Sequence, residues 1–279
     1  MTGEPRDLRA PLTFLGEVSG TPTNYFNVEP PPGTPRLYPR VRCEVVIHDA
    51  RRMAGGLSVD REGVVFADHR DGVLGDFRDE QALRSTYYPA VERLVCKVTG
   101  AIRALVFDHT HRSSAVARRA ADGTDIAVDE AHNDYTERSG PRRVRELLAG
   151  LVPDEDPDQL MRGHYAIFNV WRPINGVVEQ WPLAVCDMQS LKREDFVDAE
   201  LRWPHRTGHV CAVRHDPAQR WLYVPAMDVG EALVFMCYDS IAHAGAVRFG
   251  AHTAFVDPTS RDGARTRESI EVRTIALFN

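Results

Sequence analysis

The second half of the chain consists of short apolar segments separated by turn residues, and this pattern limits the folds open to it. Each segment is seven to ten residues long, which suits a β-strand, and strands do not alternate with helical patterns here. A parallel α/β sheet is therefore not expected, and a β-sandwich or barrel is. The seven predicted strands span 164–173, 182–188, 209–216, 220–227, 232–240, 252–258 and 269–278.

The first half mixes irregular, strand and helical patterns. Residues 79–100 carry apolar side chains at helical spacing, with Asp79 as a predicted N-cap and Gly100 as a predicted C-cap. We also predict strands at 42–51 and 102–112, a hairpin at 56–69 and a second helix at 141–151.

Residues 1–40 are rich in proline and glycine, so we expect an irregular N-terminal segment there. The remaining elements predict one domain over residues 1–279. Its fold class is mainly β with flanking helices, a double-stranded β-helix (jelly roll, cupin-like). We expect the core of this jelly roll at about 102–279.

Composition excludes several classes of protein. The 279 residues carry a net charge of −6, which argues against binding nucleic acid through bulk positive charge. No apolar run approaches the roughly 20 residues that span a bilayer, and the N-terminus lacks a signal-peptide pattern. We therefore expect a cytoplasmic protein with no membrane partner. The five cysteines are scattered and form no CxxC pair, which argues against disulfides and zinc thiolates.

His132-x-Asp134, in the segment "AHNDYT", is a candidate half of a metal site. Residues i and i+2 of a strand point the same way, so one short segment delivers an imidazole and a carboxylate together. A ferrous site for oxygen chemistry needs one more imidazole from a distant strand. The candidates are His205, His209, His215, His243 and His252. We favour His252, because it opens a predicted strand and an arginine follows fifteen residues later.

That arginine is Arg267, in the pattern Arg267-x-Ser269. A 2-oxoglutarate co-substrate chelates iron through its keto-acid end, and its far carboxylate then needs a planar, bidentate partner. Arg267 with the Ser269 hydroxyl offers both on one strand face. Arg261 and Arg265 lie in a polar loop and are expected at the surface, while Arg273 is the alternative of the same strand parity and is expected to pair with Glu271.

Several stretches resemble a family of non-haem iron, 2-oxoglutarate-dependent hydroxylases and desaturases of secondary metabolism. The most distinctive are "NVWRPI", "PLAVCD", "HTAFVDP" and "RESIEVR", and the likeness runs from about residue 45 to the C-terminus. The family includes the cephalosporin 7α-hydroxylase component, gibberellin desaturase and fungal meroterpenoid oxygenases. The resemblance implies Fe(II) on His132, Asp134 and His252, 2-oxoglutarate near Arg267 and Ser269, and O2 as oxidant. The chain departs from the family in having Gln219, not histidine, shortly before Trp221, which puts substrate contacts there in doubt.

Other residues are weaker candidates. Asn169 and Arg172, in "FNVWRPI", are candidates for binding the co-substrate carboxylate. Trp171 and Tyr135 are candidates for the substrate pocket, with core packing as the alternative. His109-x-His111 is a second histidine pair, for which we favour a structural hydrogen-bonding role, with Asp108 as a candidate acceptor outside the metal ligands.

The expected reaction is hydroxylation or desaturation of an unactivated C–H bond, with succinate and CO2 as co-products. The expected partner is a small natural-product intermediate, and the sequence leaves the oligomeric state open. Two alternatives remain. A 2-oxoglutarate-independent iron oxidase on the same scaffold would keep the three metal ligands without needing Arg267. A non-catalytic partner of another biosynthetic enzyme would bind no iron.

Overall fold

A computed structural model describes residues 7–53, 55–115, 125–241 and 248–279. The strands are β1 Leu8–Leu15, β2 Thr23–Tyr25, β3 Arg40–Asp49, β4 Val64–Asp68, β5 Arg103–Ser113, β6 Asp125–Ile126, β7 His132–Asn133, β8 Tyr165–Pro173, β9 Leu183–Cys186, β10 Phe196–Trp203, β11 Arg206–Val213, β12 Trp221–Tyr223, β13 Glu231–Asp239, β14 Ala251–Ala254 and β15 Glu268–Leu277. The helices are α1 Glu80–Ala82, a π-helical turn Leu83–Tyr87, α2 Tyr88–Thr99, α3 Ser139–Leu151 and α4 Pro157–Leu160, with short 3-10 turns at Ala50–Arg52, Arg70–Gly72, Met188–Ser190 and Arg193–Asp195.

The strands form two sheets of mainly antiparallel pairs. One sheet has nine strands in the order β1-β3-β12-β9-β14-β7-β11-β10-β2, and the other has six in the order β4-β13-β8-β15-β5-β6. Long crossovers join strands that are distant in sequence. The predicted mainly-β jelly roll is confirmed, and all seven strands predicted after residue 163 are present.

Apolar side chains pack on both faces of the six-stranded sheet. One face meets the nine-stranded sheet in a core that includes Trp171 and Phe235. The other face is covered by α2, which buries Val91 and Leu94 against it. The predicted caps of this helical segment are confirmed, because the Asp79 carboxylate accepts from two first-turn amides and Gly100 has a left-handed φ of 74°.

Three expectations about the elements were wrong. Residues 1–40 are not wholly irregular, because β1 pairs along its whole length with β3, and Pro11 is tolerated since β1 lies at a sheet edge. The sheets therefore begin well before residue 102. Residues 56–69 form no hairpin; only Val64–Asp68 is a strand, and it pairs with β13. Strand β10 was not predicted, because only part of it is buried.

Within the described residues, no helix has the length and apolar character needed to cross a membrane.

Candidate metal centre

Two histidines and one aspartate converge where β7 and β14 pair. His132 and His252 are opposite each other in the antiparallel register, and their ring centroids are 4.4 Å apart. Asp134 follows His132 by two residues. One donor atom from each of the three side chains lies within 4.8 Å of the others, the single such group in the described part of the chain. Two imidazoles and one carboxylate are the donor set of ferrous oxygenases.

The ring orientation of His132 is fixed by the backbone. Its Nδ1 lies 2.7 Å from the Glu130 carbonyl oxygen, to which it can donate, and its Nε2 lies 3.6 Å from Oδ1 of Asp134. A metal-bound histidine usually donates a hydrogen bond from one ring N–H in this way and binds the metal through its other ring nitrogen. For His132 the nitrogen left for a metal is Nε2. Asp108, a candidate acceptor outside the metal ligands, pairs at 3.3 Å with Arg273, which in turn contacts Asp134.

Burial and neighbouring charges set the protonation of the three side chains. Burial lowers the pKa of His252, and positive charge on His132 lowers it further. Burial opposes ionisation of Asp134, but Arg273 and then His132 outweigh it and hold the Asp134 pKa well below its usual value. Burial also opposes protonation of His132, yet the adjacent carboxylate raises its pKa. A neutral His252 and an ionised Asp134 are the forms that bind a metal ion.

Two side chains of the six-stranded sheet contact the Asp134 carboxylate. The Asn169 amide donates to Oδ2 at 2.9 Å, and Nε of Arg273 donates to the same oxygen at 3.3 Å. Asn169 was predicted to bind co-substrate; the structure places its amide on the Asp134 carboxylate. Arg273 also donates to Glu271 at 3.0 Å, as expected for that pair. Its contact with Asp134 was missed, because it depends on how the two sheets face each other.

Arg267 lies in the same small cavity as the two histidines. His132, Trp171, His252 and Arg267 all line it. Arg267 is 2% exposed; its guanidinium donates from Nη1 to the Trp181 carbonyl at 2.5 Å and lies 5.4 Å from the centre of the Trp171 ring. Burial, followed by the nearby charge of Arg112, lowers the pKa of Arg267 to about 9.

Two neighbouring side chains on the segment that enters β15 carry buried donors without hydrogen-bond partners. They are Arg267, through its Nε, and Ser269, through its hydroxyl. A buried guanidinium without a carboxylate partner is costly, and an anion accepting from it removes that cost. The rival arginines behave as expected: Arg261 and Arg265 are exposed and pair with Glu179.

Arg172 does not reach the cavity. Successive side chains of β8 point to opposite faces, so Trp171 lines the cavity while Arg172 enters the core under α2. There its guanidinium donates to the carbonyls of Gly72, His69 and Val229 and lies over Phe77 and Tyr87. The prediction that Arg172 binds the co-substrate was therefore wrong.

Tyr135 is a core residue, 7% exposed, and is not among the side chains lining this cavity. Trp171 does line it, and its contact with substrate stays a prediction.

The rival histidines lie in other surroundings. His109 contacts Tyr88 at 2.6 Å and Glu80 at 3.2 Å, which fits the structural role expected for it. His111 contacts the Phe77 carbonyl, and His215 packs against Phe14. His209 lines a separate cavity, and His205 is exposed. His243 is outside the described residues.

The known proteins that this chain resembles include a hydroxylase/desaturase and an alpha-ketoglutarate-dependent dioxygenase. The profile of a family described as "Oxidoreductase/YMDC permease-like domain" matches residues 12–277. The "Hydroxylase/desaturase CTB9" of Cercospora beticola is 28% identical over 252 residues, covering 84% of this chain and 76% of its own. The "Alpha-ketoglutarate-dependent dioxygenase tstK" of Talaromyces stipitatus is 28% identical over 274 residues, covering 95% of each chain.

A solved structure shows the same fold. The iron and alpha-ketoglutarate-dependent endoperoxidase NvfI superimposes with a TM-score of 0.81 at 23% identity, over 98% of each chain.

Proposed function

We propose, because this chain belongs to the oxidoreductase/YMDC permease-like family, that it is an Fe(II)/2-oxoglutarate-dependent oxygenase acting on a small natural-product intermediate. The observation that carries the proposal is the single cavity shared by His132, His252 and the buried Arg267. Metal ligands and an anion-binding side chain thus meet in one place. We place one oxygenase domain over residues 1–279, and the family match over residues 12–277 supports this.

His132, Asp134 and His252 would hold the iron. Their donor atoms lie within 4.8 Å of one another, and a set of three protein ligands would leave coordination positions open for co-substrate and O2. When bound, iron with 2-oxoglutarate supplies the oxidising power that breaks an unactivated C–H bond, with succinate and CO2 as co-products. The protein holds the ligands in place and keeps the cavity dry, for which the buried rings of Trp171 and Phe235 are suited.

Arg267 and Ser269 would bind the far carboxylate of 2-oxoglutarate. Nε of Arg267 and Oγ of Ser269 are buried donors without partners, and a carboxylate could accept from both. The Trp181 carbonyl and the Trp171 ring hold the guanidinium in position. Asn169 and Arg172 take no part in this step, since one contacts Asp134 and the other lies on the opposite face of β8.

The names of the relatives support hydroxylation or desaturation as the outcome. Both reactions begin with removal of one hydrogen atom from the substrate. Hydroxylation then adds oxygen to that carbon, whereas desaturation removes a second hydrogen atom from its neighbour. Placement of the substrate within about an ångström decides between the two.

The test is an anaerobic titration with Fe(II) and then 2-oxoglutarate, followed by exposure to O2. We expect a metal-to-co-substrate charge-transfer absorption, and then succinate formation that candidate substrates accelerate. Arg267→Ala is expected to weaken 2-oxoglutarate binding about 10- to 100-fold, the value of a lost charged hydrogen-bonding group. Arg261→Ala is the matched control, because Arg261 is exposed and pairs with Glu179 at the surface.

Each alternative function has its own outcome in this experiment. O2 consumption without succinate, unaffected by Arg267→Ala, would establish the 2-oxoglutarate-independent oxidase. Absence of iron binding would establish a non-catalytic protein, such as a partner of another biosynthetic enzyme.

A further inference from the structure

The two oxygens of the Asp134 carboxylate lie in different surroundings. Oδ1 faces Nε2 of His132 at 3.6 Å. Oδ2 accepts from the Asn169 amide at 2.9 Å and from Nε of Arg273 at 3.3 Å. Oδ1 is thus directed toward His132, and Oδ2 is occupied by two donors.

We propose that Asn169 and Arg273 are positioning residues that hold Oδ2 of Asp134, so that this carboxylate binds the metal through Oδ1 alone. The inference rests on the proposed function and deepens it. With one oxygen on the metal and not two, one more coordination position stays open for the co-substrate and O2.

The register of the six-stranded sheet explains why these two residues act together. Asn169 on β8 and Arg273 on β15 are direct cross-strand partners in an antiparallel pair, so their side chains project from one face side by side. Asp134 comes from the end of β7 in the other sheet. The carboxylate is therefore bound from across the barrel, independently of the strands that carry the histidines.

Arg273 is itself held in a fixed place. Its Nη2 donates to Glu271 at 3.0 Å and its Nη1 to the Thr110 hydroxyl at 3.0 Å, and the side chain is 14% exposed. These two anchored nitrogens leave the guanidinium little freedom, so its Nε has a defined direction toward Asp134. A lysine at this position would keep the positive charge but could not satisfy all three acceptors.

The test compares Arg273→Lys, Arg273→Gln and Asn169→Leu with the unaltered protein in two measurements. The first is the affinity for Mn(II) without co-substrate. Loss of an outer hydrogen-bond partner of a metal ligand typically weakens binding about 10- to 100-fold, and we expect that range for Arg273→Gln and Asn169→Leu. Arg273→Lys should recover part of the loss. Arg103→Gln is the control, since Arg103 pairs with Glu155 on the surface.

The second measurement is a crystal structure of each Mn(II)-bound protein. In the unaltered protein one carboxylate oxygen should lie at bonding distance and the other on Asn169 and Arg273. In Asn169→Leu and Arg273→Gln the freed oxygen should approach the metal. Variants that bind Mn(II) as the unaltered protein does, with Asp134 unmoved, would overturn the inference.

If the unaltered protein binds no Mn(II) at all, the proposed function fails instead. Should one variant not fold, as judged by its thermal unfolding, the others still decide the matter, because Asn169 and Arg273 are on different strands.

Discussion

His132 and His252 are direct partners across one antiparallel register position, although they are far apart in the chain. Their imidazole centroids, 4.4 Å apart, are held there by the pairing of β7 with β14 and by the Phe235 ring against His252. The proposed metal site is thus built on the sheet's own hydrogen-bonding pattern, and the two imidazoles are already close together without a metal ion. Such prior placement avoids ordering the ligands at the moment of binding.

Substitution should show that Fe(II) affinity depends on the proposed ligands His132 and His252 and not on the pair His109 and His111. His132→Ala and His252→Ala should each lower Fe(II) affinity by more than about 100-fold. Losing a hydrogen-bond partner of a ligand costs at most about that much, and here a ligand itself is lost. His109→Ala is the matched control and should bind Fe(II) as the unaltered protein does. Anaerobic metal titration measures this. Equal losses at His109 and His132 would contradict the assignment.

Replacing Arg267 by methionine should separate binding from stability. The co-substrate loses its charged partner, so 2-oxoglutarate affinity should fall about 10- to 100-fold. Removing a buried guanidinium that lacks a carboxylate partner offsets the lost contacts, so the free energy of unfolding of the metal-free protein should stay within about 1 kcal/mol of the original. Urea unfolding and co-substrate titration check the two halves. A large loss of stability would show that Arg267 is needed for the fold.

Stability should fall in mild acid because of His69. Burial, and then the charge of Arg172, lower the pKa of His69 from 6.5 to about 4. The His69 imidazole therefore binds a proton more readily in the unfolded chain than in the folded protein. The stabilisation that is present above pH 6.5, the pKa of His69 in the unfolded chain, is lost as the pH falls from 6.5 toward 4. Between about pH 7 and pH 5 the loss should be about 2 kcal/mol.

Urea unfolding at both pH values measures this dependence. His69→Gln should reduce the difference between them by about 2 kcal/mol, whereas His205→Gln, at an exposed position, should leave it unchanged. An unchanged difference in His69→Gln would assign the acid sensitivity to other groups.

Gly100→Ala should destabilise the end of α2. Gly100 has a φ of 74°, which an alanine adopts only with strain, and no atom lies within 4 Å of an added Cβ. The cost is therefore a backbone effect of about 1 kcal/mol. Gly75→Ala is the control, since Gly75 has equal space and no left-handed φ. Thermal unfolding of the two variants compares them, and equal stability would contradict the argument.

The sequence by itself determined the types of element and the first part of the site. Alternation and helical spacing are local, so β8, β13, β15 and the helical segment ending at Gly100 follow from neighbouring residues alone. The pair His132-x-Asp134 is also local, because two residues of one short segment suffice. The edge strand β1 was not predicted, because its partner β3 lies beyond a stretch rich in proline and glycine.

Only the tertiary structure decided which distant side chains complete the site. His252 was one of five late histidines in the sequence, and its pairing with His132 depends on a register that no short segment specifies. The same holds for Asn169, which meets Asp134, and Arg172, which lies on the opposite face of the same strand. A strand shifted by one residue turns every side chain to the other face, and burial across both sheets fixes that choice. The roles of these residues are therefore a property of the assembled barrel.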